Sequence, residues 1–203
     1  MTTGETVLVT AAAGGAGQIA VSLAKLAGNF VIGTCSSDEK AKALKALGCD
    51  RVINYKKEDF GAVLKKEFPK GIDIIYEGVG GDFFKTCMQN LAVRGRLIVI
   101  GSISNYKDTA TSTSMGDNFS EQVTTYDLLV GSKTVTGFFL NNFREKFPQH
   151  LMKLMGLLES GELKLNTDSK FTGLAAVYDA VDHLQAGKNL GKVVVCVNPP
   201  SSI

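Results

Sequence analysis

Apolar positions along the chain follow two periods that take turns. Val7-Leu8-Val9-Thr10 is an unbroken, β-branched apolar run, and after a few small residues Ile19, Leu23, Leu26 and Ala27 recur at helical spacing until Gly28. A continuous run suits a strand buried on both faces, whereas 3.6-residue spacing suits a helix laid on it by one stripe. The same exchange continues as strand Phe30 to Thr34, helix Asp38 to Leu47 stopped by Gly48, strand Arg51 to Asn54, and helix Asp59 to Phe68 stopped by Pro69. Strand Ile72 to Glu77, helix Asp82 to Leu91, strand Arg96 to Ile100 and a sixth strand, Thr134 to Phe139, complete it. Strands alternating with helices pair in parallel through right-handed crossovers, so the pattern predicts an α/β fold with a doubly wound, six-stranded Rossmann sheet.

Two stretches break the rhythm. Between the fifth and sixth strands, Ser102 to Glu121 is polar and too long for an ordinary connection, which reads as a lid or a disordered loop, mobile without ligand. Beyond about Lys146 come a long helix to Ser160, short strands at Leu163 to Leu165 and Lys170-Phe171, helix Leu174 to Gln185 and strand Lys192 to Val197. This predicts a nucleotide-binding unit over 1–161 and a distinct segment over 162–203. The sixth strand, Thr134-Val135-Thr136-Gly137-Phe138-Phe139, has neither charge nor proline along its length to guard a sheet edge, so its pairing with a second copy is expected.

Composition narrows the partners. With 44% apolar residues in 203, the chain can build a real core, and a net charge of +2 spread among interspersed acids and bases leaves no stripe for nucleic acid. No apolar run approaches the roughly 20 residues that span a bilayer. Cys35, Cys49, Cys87 and Cys196 form no CxxC pair and only His150 and His183 could join them, so no metal is expected and the cysteines read as reduced thiols of an intracellular, cytoplasmic protein.

The first strand leads directly into Ala11-Ala12-Ala13-Gly14-Gly15-Ala16-Gly17-Gln18, a GxGxxG variant with alanine first. Gly14 lets backbone approach a pyrophosphate and Gly17 lets the helix close on the strand, with phosphate oxygens resting on the free N–H groups at the helix start. A tight turn alone would use the same residues, but the place between the first strand and first helix of a βαβ series favours the dinucleotide reading. At the end of the second strand, Ser36-Ser37-Asp38-Glu39 reads as a capping box, which accounts for both acids. Lys40 is less easily explained, because a cation in the first turn opposes the helix dipole. A 2′-phosphate nearby would offset that cost, which favours NADPH over NADH; a solvated lysine is the plain alternative. No tyrosine has a lysine four residues on, so a short-chain dehydrogenase is excluded. A methyltransferase is disfavoured by the absence of an uncapped acid after the second strand.

These residues carry a resemblance. Val9 to Gln18, Gly33 to Lys40, Val52-Ile53-Asn54-Tyr55, Tyr76-Glu77-Gly78-Val79-Gly80-Gly81, Gly95 to Tyr106, Gly137 to Asn141 and Gly187-Lys188-Asn189-Leu190-Gly191-Lys192 resemble the quinone-oxidoreductase and prostaglandin-reductase branch of the medium-chain dehydrogenases/reductases. The resemblance implies that Ser36, Lys40 and Tyr55 surround the 2′-phosphate of NADPH, that Ala16 and Gly78 lie along the cofactor, and that Ile100 lines its pocket. It further implies that Tyr106 reaches the nicotinamide ribose, that the Phe138-Phe139-Leu140 backbone meets the carboxamide, and that Asn189 lies near the cofactor. Simpler roles stand beside these: a loop anchor for Tyr106, ordinary core for the phenylalanines, turn chemistry for Asn189. Members of the branch begin with a GroES-like catalytic domain that is absent here, so the strands after about Glu162 should lack partners. They work without zinc, form homodimers, and reduce enones such as 15-keto prostaglandins, or quinones, without an assigned catalytic acid in this part of the chain. A peroxisomal address is also admitted by the resemblance. The alternative is a stand-alone NADPH-binding module without turnover.

Overall fold

The computed structural model describes residues 1–104 and 122–198. Six strands, β1 (Thr6–Val9), β2 (Phe30–Cys35), β3 (Arg51–Asn54), β4 (Ile72–Glu77), β5 (Leu91–Val99) and β6 (Thr134–Gly137), form one parallel sheet in the order β3-β2-β1-β4-β5-β6. The chain winds outward from β1 in one direction, then from β4 in the other, so the winding reverses between these two central strands. In such sheets ligands bind at that reversal, outside the carboxyl ends of the strands. Along β1 the side chains alternate between the faces. Val7 and Val9 join one apolar cluster with Val21 and Ala24 of α1 (Gly15–Leu26) and Leu44 of α2 (Asp38–Ala46). Leu8 joins the other with Phe60 and Leu64 of α3 (Phe60–Glu67) and Phe84 and Cys87 of α4 (Gly81–Gln89). The doubly wound sheet expected from the sequence is the one observed.

Several boundaries move for local reasons. β5 begins at Leu91 rather than Arg96, because Leu91 pairs with Ile72 before the register shifts across a bulge that holds Arg94 at φ +63°. β6 stops at Gly137, short of Phe139. A short helix not foreseen between the polar stretch and β6, α5 (Thr125–Gly131), is capped by the Thr124 hydroxyl, which accepts from the Asp127 N–H. Most of the Ser102 to Glu121 loop lies outside the described residues.

The C-terminal segment holds α6 (Phe147–Glu159), β7 (Thr167–Thr172), α7 (Ala176–Gln185) and β8 (Lys192–Cys196). Leu163 to Leu165 is not a strand: Leu163 is buried and its N–H donates to the Leu157 carbonyl, closing the end of α6. The strands that should have lacked partners find each other, β7 and β8 pairing in parallel as a separate two-stranded sheet. This segment is also sewn to the nucleotide-binding turn. The buried Gln18 amide donates to the Asn166 carbonyl at 2.8 Å and its oxygen accepts the Asn166 N–H at 2.7 Å. The Gly191 N–H donates to Ala13 at 2.8 Å. At Gly191, with φ +80°, a Cβ would fall 1.9 Å from the Asn166 oxygen, so only glycine fits. Among the described residues no helix is long and apolar enough to cross a membrane.

Candidate functional site

Because all six strands are parallel, their carboxyl ends open on one edge of the sheet, and the loops leaving them build the site. The glycine-rich turn leaves β1. Its first bend is held by the Ala11 N–H donating to the Thr34 hydroxyl at 3.1 Å and the Ala12 N–H to the Thr34 carbonyl at 3.0 Å. Gly14 caps α1 in an extended conformation, and Gly15, Ala16 and Gly17 form the first turn, where N–H groups have no carbonyl four residues back. Gly17 has a packing role, for a Cβ there would lie 2.5 Å from the Ala11 oxygen and 2.7 Å from the Ala12 Cα. Ala16 is exposed and Gly14 and Gly15 half-buried. The arrangement is an anion cradle aimed out of the sheet edge.

The second strand delivers Ser36, Ser37 and Lys40. Here the expected capping box does not form. The cap of α2 is Ser37, whose hydroxyl accepts from the Lys40 N–H at 3.2 Å, so the third helical position is Lys40 and not Glu39. β2 continues to Cys35 and Ser36 is spent on the turn, so the cap falls one residue later than the box required while the helix starts at Asp38 as expected. Asp38 and Glu39 remain first-turn acids, and Asp38 is engaged by Lys57 and by Asn54 Nδ2 at 3.0 Å, contacts that hold its carboxyl below the usual range. Lys40 itself is half-buried, and its Nζ donates to the Gly187 carbonyl at 2.6 Å. Among the described residues no carboxylate forms an ion pair with it. Burial pushes its pKa below the ordinary lysine value. A half-desolvated cation satisfied only by a carbonyl, beside an α-helix start, is suited to a second anion.

The other predicted residues lie on neighbouring loops. Tyr55 follows β3, its N–H donating to Cys35, but its ring packs edge-on against Phe83 at 5.1 Å, on the α4 side. Gly78 follows β4. Its N–H donates to the Thr10 hydroxyl at 2.9 Å, and a Cβ there would come within 3.2 Å of Ile100 Cδ1, so the loops after β1, β4 and β5 meet at this glycine. Phe138, Phe139 and Leu140 leave β6 and are all exposed. The Phe138 N–H donates to Val99 and its ring stacks on Phe143, so these phenylalanines are not core. Asn189 is buried, with Nδ2 donating to the Gly191 carbonyl at 2.9 Å. Tyr106 lies outside the described residues.

Sequence reasoning missed Glu77 as a framework residue. Fully buried at the end of β4, its carboxylate accepts from the Val79 N–H at 2.8 Å, the Gly80 N–H at 3.1 Å and the Thr10 hydroxyl at 3.3 Å, shaping the Gly78 to Gly80 turn. A buried-strand acid at the last position of β4, directly before the glycines of 78–81, is the signal that pointed to it. Gln18, polar on the buried face of α1, signalled the seam to Asn166 in the same way. Among the described residues no group of three or more His, Cys, Asp or Glu side chains is placed to hold a metal ion.

With this geometry in hand, comparison with known proteins is specific. The chain is 49% identical over 194 residues to a probable quinone oxidoreductase of Leishmania amazonensis, covering 95% of this chain and 56% of the relative. It is 46% identical over 206 residues to prostaglandin reductase-3 of Mus musculus, covering 98% and 54%. It thus spans about half the length of these curated relatives. The crystal structure of CurA from Vibrio vulnificus in complex with NADPH superposes with a TM-score of 0.84 at 31% identity, covering 98% of this chain and 59% of that one. Residues 15–156 match the family described as zinc-binding dehydrogenase, although the described residues supply no zinc site. The chain belongs to that family, in the quinone-oxidoreductase and prostaglandin-reductase branch of the medium-chain dehydrogenases/reductases.

Proposed function

We propose that this chain binds NADPH and forms the cofactor half of an oxidoreductase that reduces the carbon–carbon double bond of an enone, in the manner of a 15-oxo-prostaglandin 13-reductase, or reduces a quinone. The observation that carries the reading is Lys40, half-buried without a carboxylate partner, beside the first turn of α2 and on the same sheet edge as the glycine cradle of α1. The NADPH in the related CurA structure supports it, as do the relatives' names.

The described residues fit the cofactor. The first-turn N–H groups of α1 take the pyrophosphate, and Ser36, Lys40 and Tyr55 take the 2′-phosphate. Ala16 and Gly78 line the path between, with Gly78 kept small because Ile100 already fills the space beside it. The backbone after β6 at Phe138 to Leu140 meets the nicotinamide end and Asn189 lies near the cofactor, while Tyr106, outside the described residues, is assigned to the nicotinamide ribose. When bound, NADPH supplies the hydride, and this part of the protein holds and orients it. Residues 162–203 belong with a second, catalytic domain, and the unpaired edge of β6 joins a second copy into a homodimer, which sedimentation would show as a dimer persisting on dilution.

Cofactor fluorescence and NADPH consumption with an enone, measured on the same protein, test the proposal. Saturable NADPH binding together with enone-dependent oxidation is the expected result. Binding without oxidation would favour a module that holds cofactor only, and no binding would refute the proposal.

A further inference from the structure

Lys40 is aimed by a loop, and that loop is fixed by a pair of side chains with no part in the reading above. The Gly187 carbonyl that accepts from Lys40 Nζ sits where α7 ends: the Gly187 N–H donates to the Leu184 carbonyl, the Lys188 N–H to the His183 carbonyl, and Gly187 takes φ +61°. Four residues on, Gly191 is bonded to Ala13 of the glycine cradle. The 187–191 loop therefore touches both anion sites. What holds it in place is His183, whose Nε2 lies 2.7 Å from Asp168 Oδ2, both side chains being 12% exposed. His183 lies in the last turn of α7 and Asp168 on β7, so this contact pins the end of α7, with the loop that follows it, to β7.

The chemistry of the pair is defined by its neighbours. A 2.7 Å contact to a carboxylate requires that Nε2 carry the proton and donate. Lys170 Nζ, 3.2 Å from the same nitrogen, then cannot donate to it and is satisfied by Asp168 Oδ1 at 3.6 Å. Phe171 closes the ring's side at 5.4 Å. Lys170 stands beside the Asp168 carboxylate, whose charge still reaches Lys40 and favours its ammonium form.

We infer that Asp168 and His183 are positioning residues that set the preference for the 2′-phosphorylated cofactor, by fixing the Gly187 carbonyl and with it the direction of the Lys40 ammonium. The inference rests on the NADPH reading and specifies what in this chain enforces it. It makes a distinction that general destabilisation would not: loosening the loop should weaken the phosphate contact and leave adenine and nicotinamide contacts, which NADH shares, largely intact.

The test is titration of NADPH and NADH into the wild-type chain and into Asp168→Ala, His183→Ala, His183→Gln and Lys40→Ala, with thermal unfolding of each. The expected result is that the ratio of the NADH to the NADPH dissociation constant falls roughly five- to tenfold in both alanine variants of the pair. His183→Gln, which can still donate to Asp168, should keep the wild-type ratio even where its unfolding temperature drops. An unchanged ratio in the two alanine variants, while Lys40→Ala abolishes the preference, overturns the inference and leaves the cofactor reading standing. A wild-type chain without preference for NADPH overturns both. Should Asp168→Ala not fold, His183→Ala against His183→Gln decides the matter alone.

Discussion

Replacing Lys40 by alanine isolates the interaction on which the cofactor assignment depends. In the free protein the ammonium is half-buried and bonded to one carbonyl, Gly187, at 2.6 Å. Burial holds its pKa below the ordinary lysine value, so the protein gains little from the charge until an anion arrives. A charge-assisted hydrogen bond to phosphate contributes about 1.5–3 kcal/mol. The phosphate must share the ammonium with a carbonyl already in place, which points to the lower part of that span, about 1.5–2 kcal/mol, or roughly ten- to thirtyfold in Kd. NADH, with a hydroxyl in place of the phosphate, should bind nearly as before. Calorimetric titration of both cofactors into both proteins reads the two numbers side by side. Equal losses for NADPH and NADH would show that Lys40 supports the fold of the site and does not contact the 2′-phosphate.

Other perturbations follow from the same geometry. Gly17→Ala puts a Cβ against three backbone atoms of Ala11 and Ala12 that cannot move aside cheaply, and should destabilise the chain by about 1–3 kcal/mol in denaturant unfolding. Of the four cysteines only Cys196 is exposed, while burial raises Cys35, Cys87 and Cys49, the last to about 12, so a disulfide reagent should modify one thiol natively and four in denaturant. Arg51 binds both Glu58 and Glu67 and holds their carboxyls below the ordinary 4.5. A depressed folded pKa gives stability that is complete above 4.5 and lost as pH falls towards the folded values, because the unfolded chain takes up protons first. Unfolding followed from pH 6 to pH 3 should show that loss, with a shallower slope in Arg51→Met.

Legibility in the sequence tracks how local each cause is. The sheet could be read because each strand is a short apolar run and each helix ends on its own signal, Gly28, Gly48 or Pro69. Errors arose where one residue decides between adjacent outcomes. Ser36 and Ser37 are both competent caps, and only the length of β2, ending at Cys35, selects the second. Leu91 reads as the end of a helix and 92–95 as a connection, yet pairing of Leu91 with Ile72 draws the stretch into the sheet at the expense of a left-handed Arg94. Glycine and lysine positions in the site announced themselves by type, since a cradle needs backbone and an anion needs charge.

Residues that act by holding others leave no such mark. The partner of Lys40 is a backbone carbonyl 147 residues away, and a carbonyl is supplied by any amino acid at all, so nothing in the identity of position 187 names its task. Gln18 and Asn166 are as far apart, and each is unremarkable until the fold brings the two amides together. Gly191 differs in being diagnostic after the fact, because Asn166 approaches so closely that any side chain is excluded. The first β-α turn is therefore not a self-contained binding element in this chain: its cradle is completed from the 166–191 segment, through Ala13, Gln18 and Lys40. A change in that distant segment reaches the glycine-rich turn by a short chain of hydrogen bonds.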